Sequence, residues 1–277
     1  VGAGIVDPAT MLLSLSTGAQ VMVPDDAFHP DPAGRTHAYC SALQPGPGYP
    51  GWYQMGATLV AGMALRWLRD EMLQIPATGA YERMTAWAEK APVGSRGLLF
   101  LPYLVGERSP HMDPRARGAF LGLAAHHDHG DVVRAVMEGV TFACRDAFAA
   151  LHEAGANPER IVMAGGGSRS PLWRQMVADI FGLPVYGLST TDQSAMGAAL
   201  LAIAGTRDLD AVETAQRWAR YGSAAEPNPA RHARYQEVYE LFREAYAPVI
   251  GISHRLGEWY AESTGPRIVP RPIRKRG

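Results

Sequence analysis

An α/β fold, a mixed sheet flanked by helices, is what this sequence predicts, and three observations carry the prediction. A short apolar run, Arg160–Ala164, passes through Gly165-Gly166-Gly167-Ser168 into a stretch with helical spacing, Pro171–Phe181. A second run, Pro184–Leu188, leads into an Ala-rich helical stretch, Ser194–Ala204. Strand, glycine turn, helix, strand, helix is the layout of a covered sheet. Residues 10–23 add two alternating runs around Ser16-Thr17-Gly18-Ala19, the signature of a hairpin.

The remaining elements follow in chain order. Residues 24–54 are rich in Pro, Gly, His and Tyr and read as irregular structure with short strands. Residues 57–74 return to helical spacing through Leu59, Met63, Leu65, Trp67, Leu68 and Met72. The apolar run Leu98–Leu104 reads as a buried strand ending at Gly106, and residues 107–118 as turns. Asp131 is placed to cap a helix that runs to about Ala154, where Gly155 would stop it. Cys144 falls in the core of that helix and Cys40 at a buried strand end. Ala224–Pro229 resembles a linker, and a last helix is expected from about Ala230 to Leu256. That places one domain over residues 1–257 and a flexible basic tail over 258–277, with Arg267, Arg271, Arg274, Lys275 and Arg276.

Composition narrows the class. The chain has 277 residues, 47% hydrophobic and 19% charged, which suits a sizeable core rather than disorder. A formal net charge of -1 points to neither nucleic acid nor an anionic membrane as partner. No apolar run reaches the ~20 residues that span a bilayer, and no signal peptide or zinc-type Cys spacing is visible. Two unpaired-looking cysteines suit a reducing, cytoplasmic setting. The chain opens Val-Gly-Ala-Gly-Ile-Val, without Met, directly into what reads as ordered structure; the expectation is a piece of a longer protein.

Four stretches could carry chemistry. Gly165-Gly166-Gly167-Ser168, between strand and helix, exposes backbone N–H groups without side chains to bar a ligand. Ser168 and Ser170 add hydroxyls. That corner suits a phosphate or the flat face of a base, although a bare strand-to-helix turn gives the same residues. Ser170 stands where a dinucleotide fingerprint needs its third glycine, and no P-loop Gly-Lys-Ser/Thr follows. The hairpin turn around Thr17 and Gly18 can aim N–H groups at phosphate, or be an ordinary turn. Leu101–Pro110 ends a strand in Gly106-Glu107-Arg108, at a ligand-bearing strand tip or as a plain surface ion pair. Asp192–Ala199 carries small residues at helical spacing and reads as close helix packing.

Taken in order, the Thr-Gly hairpin, Leu101–Leu123 (LPYLVGERSPHMDPRARGAFLGL), Glu138-Gly139, Gly165–Asp179 (GGGSRSPLWRQMVAD) and Ser194–Ala202 (SAMGAALLA) resemble the FGGY family of carbohydrate kinases, nearest its xylulokinase branch. The resemblance covers roughly residues 1–250. It implies the actin-like, ribonuclease-H-like ATPase fold, with ATP lying mainly on a C-terminal domain that this chain represents. It implies ATP-dependent phosphorylation of a sugar, D-xylulose first, with gluconate, ribulose or glycerol as alternatives, and ATP and Mg2+ as cofactors. The alternative outside the enzyme class is a non-catalytic nucleotide-binding or structural fragment.

Residue by residue, Thr17 and Gly18 match the hairpin that faces the terminal phosphates, and Gly106 a glycine near the γ-phosphate. Gly166 and Gly167 match the glycines beneath the adenosine, and Ser170 a polar neighbour of the base; Gly165, beside them, is counted among the ATP-binding residues. The family's catalytic Asp lies upstream of the segment matching Val1, so no catalytic residue and no metal ligand is assigned in this chain. Asp7, Asp113 and Asp179 are rejected as substitutes. A sugar and an N-terminal domain of the same protein are the expected partners, with room for a homodimer, and the chain alone is expected to be inactive. Ala19 and Gln193 depart from the family pattern, where Gly and Glu are usual.

Overall fold

The computed structural model describes residues 1–43, 51–189 and 192–264. The chain enters with strand β1 (Thr10–Leu15), turns, and returns as β2 (Ala19–Asp25). A short β3 (His37–Cys40) and a longer β4 (Trp52–Thr58) follow. Helix α1 (Gly62–Trp67) runs on as one π turn over Leu68–Met72, and α2 is Ala80–Ala88. Strands β5 (Leu99–Leu101) and β6 (Ala119–Leu121) precede the long α3 (His129–Glu153). Then come β7 (Arg160–Ala164), α4 (Pro171–Phe181), β8 (Val185–Leu188), α5 (Gln193–Arg207), α6 (Ala211–Trp218), β9 (Tyr221–Ala225) and α7 (Pro229–Thr264).

Seven strands form one mixed sheet in the order β3-β4-β2-β1-β7-β8-β9. Strands β1, β7 and β8 are parallel at its centre, and the other pairings are antiparallel. Alternation along β1 divides two cores. Met11, Leu13 and Leu15 are buried on the face covered by α3 and α4. The opposite face of the sheet buries Val162, Ala164 and Leu188 against Ala3 and Ile5 of the N-terminal segment. Helix α3 is buried along most of its length because helices lie on one side of it and the sheet on the other.

The hairpin, the strand–glycine turn–helix unit and α5 stand as the sequence predicts. Five expectations are corrected. The helix expected from residue 57 begins at Gly62, because Trp52–Thr58 pairs with all seven residues of β2. The expected strand Leu98–Leu104 shrinks to Leu99–Leu101 and pairs only with β6, outside the main sheet; Pro102 has no N–H to continue a ladder. Asp128, not Asp131, caps α3. Its carboxylate accepts from Gly130 N and Asp131 N, and Asp131 returns the bond to Asp128 N, a reciprocal capping box. Cys40 is exposed, because it closes the edge strand β3, while Cys144 is buried. The last helix and the boundary at 257 move, since α7 continues to Thr264; Gly257 alone opposes helix there, at a cost of about 1 kcal/mol. The basic residues from Arg267 lie outside the described residues. Helices α2 and α6 and strand β9 have no counterpart in the sequence reading, and β9 takes part of the linker-like stretch.

Candidate functional site

Two turns leave the sheet side by side. Strands β1 and β7 run parallel with Ser14 opposite Ala164. The turn after β1, at Ser16–Gly18, and the turn after β7, at Gly165–Arg169, therefore emerge at the same edge. The carboxyl ends of parallel strands are where ligands gather in open α/β sheets.

The hairpin turn is pinned through its carbonyls. Ser16 O accepts from Gly62 N (2.7 Å), Thr17 O from Ala61 N (2.9 Å) and Met63 N (3.1 Å), and Gly18 O from Ser16 N (3.0 Å). The N–H groups of Thr17 and Gly18 take no protein partner among the described residues. Ser16 and Thr17 are exposed. An exposed tip with two unspent N–H donors suits an anion. Ala19, one residue on, lies in β2 and has no positive φ, so its Cβ is accommodated.

The three glycines have different work. Gly165 sits at φ +80°, and a Cβ there would stand 2.4 Å from Leu15 O and 2.8 Å from Ser16 Oγ. A Cβ on Gly167 would stand 2.8 Å from Leu15 Cβ. These two glycines let the turn lie against β1. A Cβ on Gly166 would meet nothing within 4 Å. Ser170 then caps α4, its Oγ accepting from Trp173 N at 3.2 Å, and Pro171 follows in the first turn, where no N–H is missed.

Gly166 faces a cleft of about 620 Å3. One wall is Ser16, Gly62, Gly166, Gly167 and Ser170, and Arg169 is a cation beside it. The floor is apolar, made by Leu15, Leu65, Met84, Val133, Met137 and Trp173. The Trp173 indole is fixed by its N–H bond to Thr141 Oγ1 at 3.0 Å. The far wall is α2, with Tyr81, Glu82 and Thr85, and Glu89 just beyond its end. An apolar slot, a flat glycine wall and carboxylates that only accept hydrogen bonds suit a planar group carrying N–H or O–H donors.

The structure therefore brings Gly166, Gly167 and Ser170 together in the cleft wall, with Gly165 behind them and Thr17 and Gly18 at the tip beyond Ser16. Gly106 is not in that wall. It is buried at φ +89°, where a Cβ would stand 2.7 Å from Pro114 O, so the fold itself demands glycine there. Its loop docks on the end of β4: Ser109 N donates to Ala57 O (2.9 Å), and Ser109 Oγ accepts from Ala57 N (3.1 Å). Sequence reasoning missed α2. Its buried residues, Ala80, Met84 and Ala88, recur every fourth position, a helical signal too short to stand out between loops.

The rejected carboxylates are all engaged. Asp7 accepts from Thr10 and Arg160, Asp113 from His254 and Tyr246, and Asp179 from Gln175, Asn228 N and Arg231. Asp25, Asp26 and His29 bring ligand-type atoms within 4.8 Å of one another, at the far end of β2 from the hairpin turn. No helix among the described residues is long and apolar enough to cross a membrane.

Residues 11–206 match the family model described as FGGY family of carbohydrate kinases, C-terminal domain. The chain is 32% identical over 247 residues to the xylulose kinase of Bacillus subtilis (strain 168), covering 89% of this chain and 48% of that protein. It is 34% identical over 254 residues to the xylulose kinase of Escherichia coli (strain K12), covering 90% and 50%. The crystal structure of gluconate kinase from Lactobacillus acidophilus superposes with a TM-score of 0.82 at 28% identity, over 92% of this chain and 50% of that one. The chain thus spans about half the length of the relatives it matches.

Proposed function

This chain belongs to the FGGY family of carbohydrate kinases, and from that premise we propose that it is the nucleotide-binding half of an ATP-dependent sugar kinase. It has the actin-like ATPase fold of its structural neighbours. The observation that carries the proposal is the placement of two backbone turns at one sheet edge, beside a cleft whose glycine wall leaves open space at Gly166.

The residues present fit ATP. The cleft's apolar floor would cover the base, and Gly166 and Gly167 would let it lie flat against the turn. Thr17 N–H and Gly18 N–H would donate to phosphate oxygens at the hairpin tip. Bound with ATP, Mg2+ supplies charge neutralisation at those oxygens. Phosphoryl transfer needs an in-line hydroxyl, backbone donors and a carboxylate within reach of the sugar. This chain supplies the donors. On this reading the carboxylate and most of the sugar contacts come from the part of the parent protein outside this chain, which spans about half the length of its relatives. D-xylulose is the first substrate to try, and gluconate the second, because a gluconate kinase shares the fold so closely. An ATP-using enzyme of this class works in the cytoplasm.

A coupled ADP-release assay on the full-length parent, with xylulose, ribulose, gluconate and glycerol, tests the reading. Turnover with one of them is expected, and no sugar-dependent ADP release from any would overturn it. The 277-residue chain alone should bind Mg–ATP by calorimetry and release no ADP.

A further inference from the structure

Glu107 is the most unusual carboxyl group near the two turns. It is only 2% exposed. Its Oε1 accepts from Leu59 N (2.8 Å) and from Arg108 N (2.7 Å). Its Oε2 is buried with no hydrogen-bond partner. An unsatisfied buried carboxylate oxygen costs more than an ordinary surface group, and a fold that keeps one calls for a reason.

Geometry supplies the reason. Leu59 follows β4, and its carbonyl lies 3.1 Å from where a Gly18 Cβ would be, with Thr58 O at 2.6 Å. The turn donating Thr17 N–H and Gly18 N–H thus rests on Thr58 and Leu59. Glu107 grips Leu59 from the other side, and Gly106 precedes it in the chain. One carboxyl group thus joins the hairpin turn, through Leu59, to the Gly106 loop.

We propose that Glu107 is a positioning residue for nucleotide phosphates, holding Leu59 so that the hairpin turn and the Gly106 loop keep a fixed separation. This rests on the nucleotide reading of the site. Burial pushes the Glu107 carboxyl up to about 7, so it changes charge near neutrality. The groups that face it do not change there. Burial pushes Tyr103 of the β5 end and Cys144 of α3 upward, and Tyr246 of α7 up to about 12. Burial holds His111, on the same loop, down at about 4. Arg108 is its cationic neighbour. Ionised Glu107 places a negative charge behind the phosphates.

The test is calorimetry of Mg–ATP binding to the wild-type chain, Glu107→Gln, Glu107→Ala and Gly166→Trp, between about pH 5.5 and 8.5. Glu107→Gln keeps an acceptor for Leu59 N–H and never ionises. The ratio of wild-type to Glu107→Gln Kd should rise at least about threefold from the low to the high end, as the wild type alone gains charge; ATP's own titration cancels in the ratio. Glu107→Ala should bind about tenfold more weakly, from loss of the two bonds. A flat ratio, with Glu107→Ala binding like wild type or unfolding, gives Glu107 no part in positioning and overturns the inference. Normal binding by Gly166→Trp would instead sink the site reading, and no binding by the wild type would sink both.

Discussion

If Gly166 is glycine to make room for a ligand, and Gly165 is glycine because the fold requires it, the two positions should fail in opposite ways. Gly166→Trp adds a side chain at a point where nothing lies within 4 Å, on a backbone without positive φ. Such a substitution changes stability by no more than about 0.5 kcal/mol. The indole would lie in the cleft, against the wall a base would occupy. Denying a ligand about 100 Å2 of apolar contact, at about 25 cal/mol per Å2, removes about 2.5 kcal/mol, which is about seventyfold in Kd. Gly165→Ala does the reverse. Its Cβ would stand 2.4 Å from Leu15 O, a carbonyl fixed in the sheet, at φ +80°. Strain of this kind costs about 1–3 kcal/mol, which lowers Tm by several degrees at about 2–4 °C per kcal/mol.

Thermal unfolding and Mg–ATP calorimetry on the two variants separate the effects. The expected pattern is a wild-type Tm with lost binding for Gly166→Trp, and a lowered Tm for Gly165→Ala with affinity retained in the fraction still folded. Gly166→Trp binding ATP as tightly as wild type would refute the assignment of the cleft. A large loss of Tm in that variant would refute the claim that Gly166 is free of structural duty.

Two further predictions concern buried charge. Glu138 accepts from Arg134 Nε (2.8 Å), Ser95 Oγ (2.8 Å), Tyr235 OH (2.9 Å) and Gly94 N (3.0 Å), tying α3 to α7; Glu138→Ala should cost about 3–5 kcal/mol in urea unfolding by stranding Arg134, with much of it recovered in Glu138→Leu combined with Arg134→Met. The Glu107 carboxyl ordinarily titrates at 4.5 and is pushed up to about 7 in the fold. The folded chain therefore holds that proton more tightly than the unfolded one. The benefit is full below about 4.5 and is lost as pH rises through about 7, so against Glu107→Gln the wild type should lose up to about 3 kcal/mol across that window; equal pH profiles for the two proteins would refute the shift.

What the sequence disclosed, it disclosed through local chemistry. The glycine turn, Pro171 in the first turn of α4, and the alternation around Ser16–Ala19 each act within a few residues, and each was readable. Strand β4 was not. Its seven residues are extended because they pair with β2, some thirty residues earlier, and their own composition is equally good for a loop or a helix start. Leu98–Leu104 looked like a core strand by its apolar run, but Pro102 ends its ladder and its partner is β6. The family resemblance gives Gly106 to a ligand, whereas the fold has its own reason for glycine there in the contact with Pro114. Glu82, Thr85 and Glu89 could not be found at all, because only the packing of α2 on α3 carries them to the cleft.

The glycines around the hairpin turn argue that this site is built before any ligand arrives. Three of them approach the turn from three directions. Gly18 lies against Thr58 O at 2.6 Å, Gly62 against Ser16 O at 2.6 Å, and Gly165 against Leu15 O at 2.4 Å, as measured from the Cβ each lacks. Side chains at any of these points would push the surrounding backbone outward. Without them, the connection after β4, the start of α1 and the turn after β7 close on Ser16–Gly18, and four backbone bonds then occupy the turn's carbonyls. Of the turn's N–H groups, those of Thr17 and Gly18 keep no protein partner among the described residues. A loop already ordered in this way loses little conformational freedom on binding, at about 1–2 kcal/mol saved per backbone residue that is already fixed. Donors that do not reorganise are also the kind that stabilise developing charge in phosphoryl transfer. On the proposed nucleotide reading, a turn of Ser-Thr-Gly with no charged side chain would suffice to hold an anion, because its selectivity for negative charge would come from which backbone groups the neighbouring glycines leave unspent.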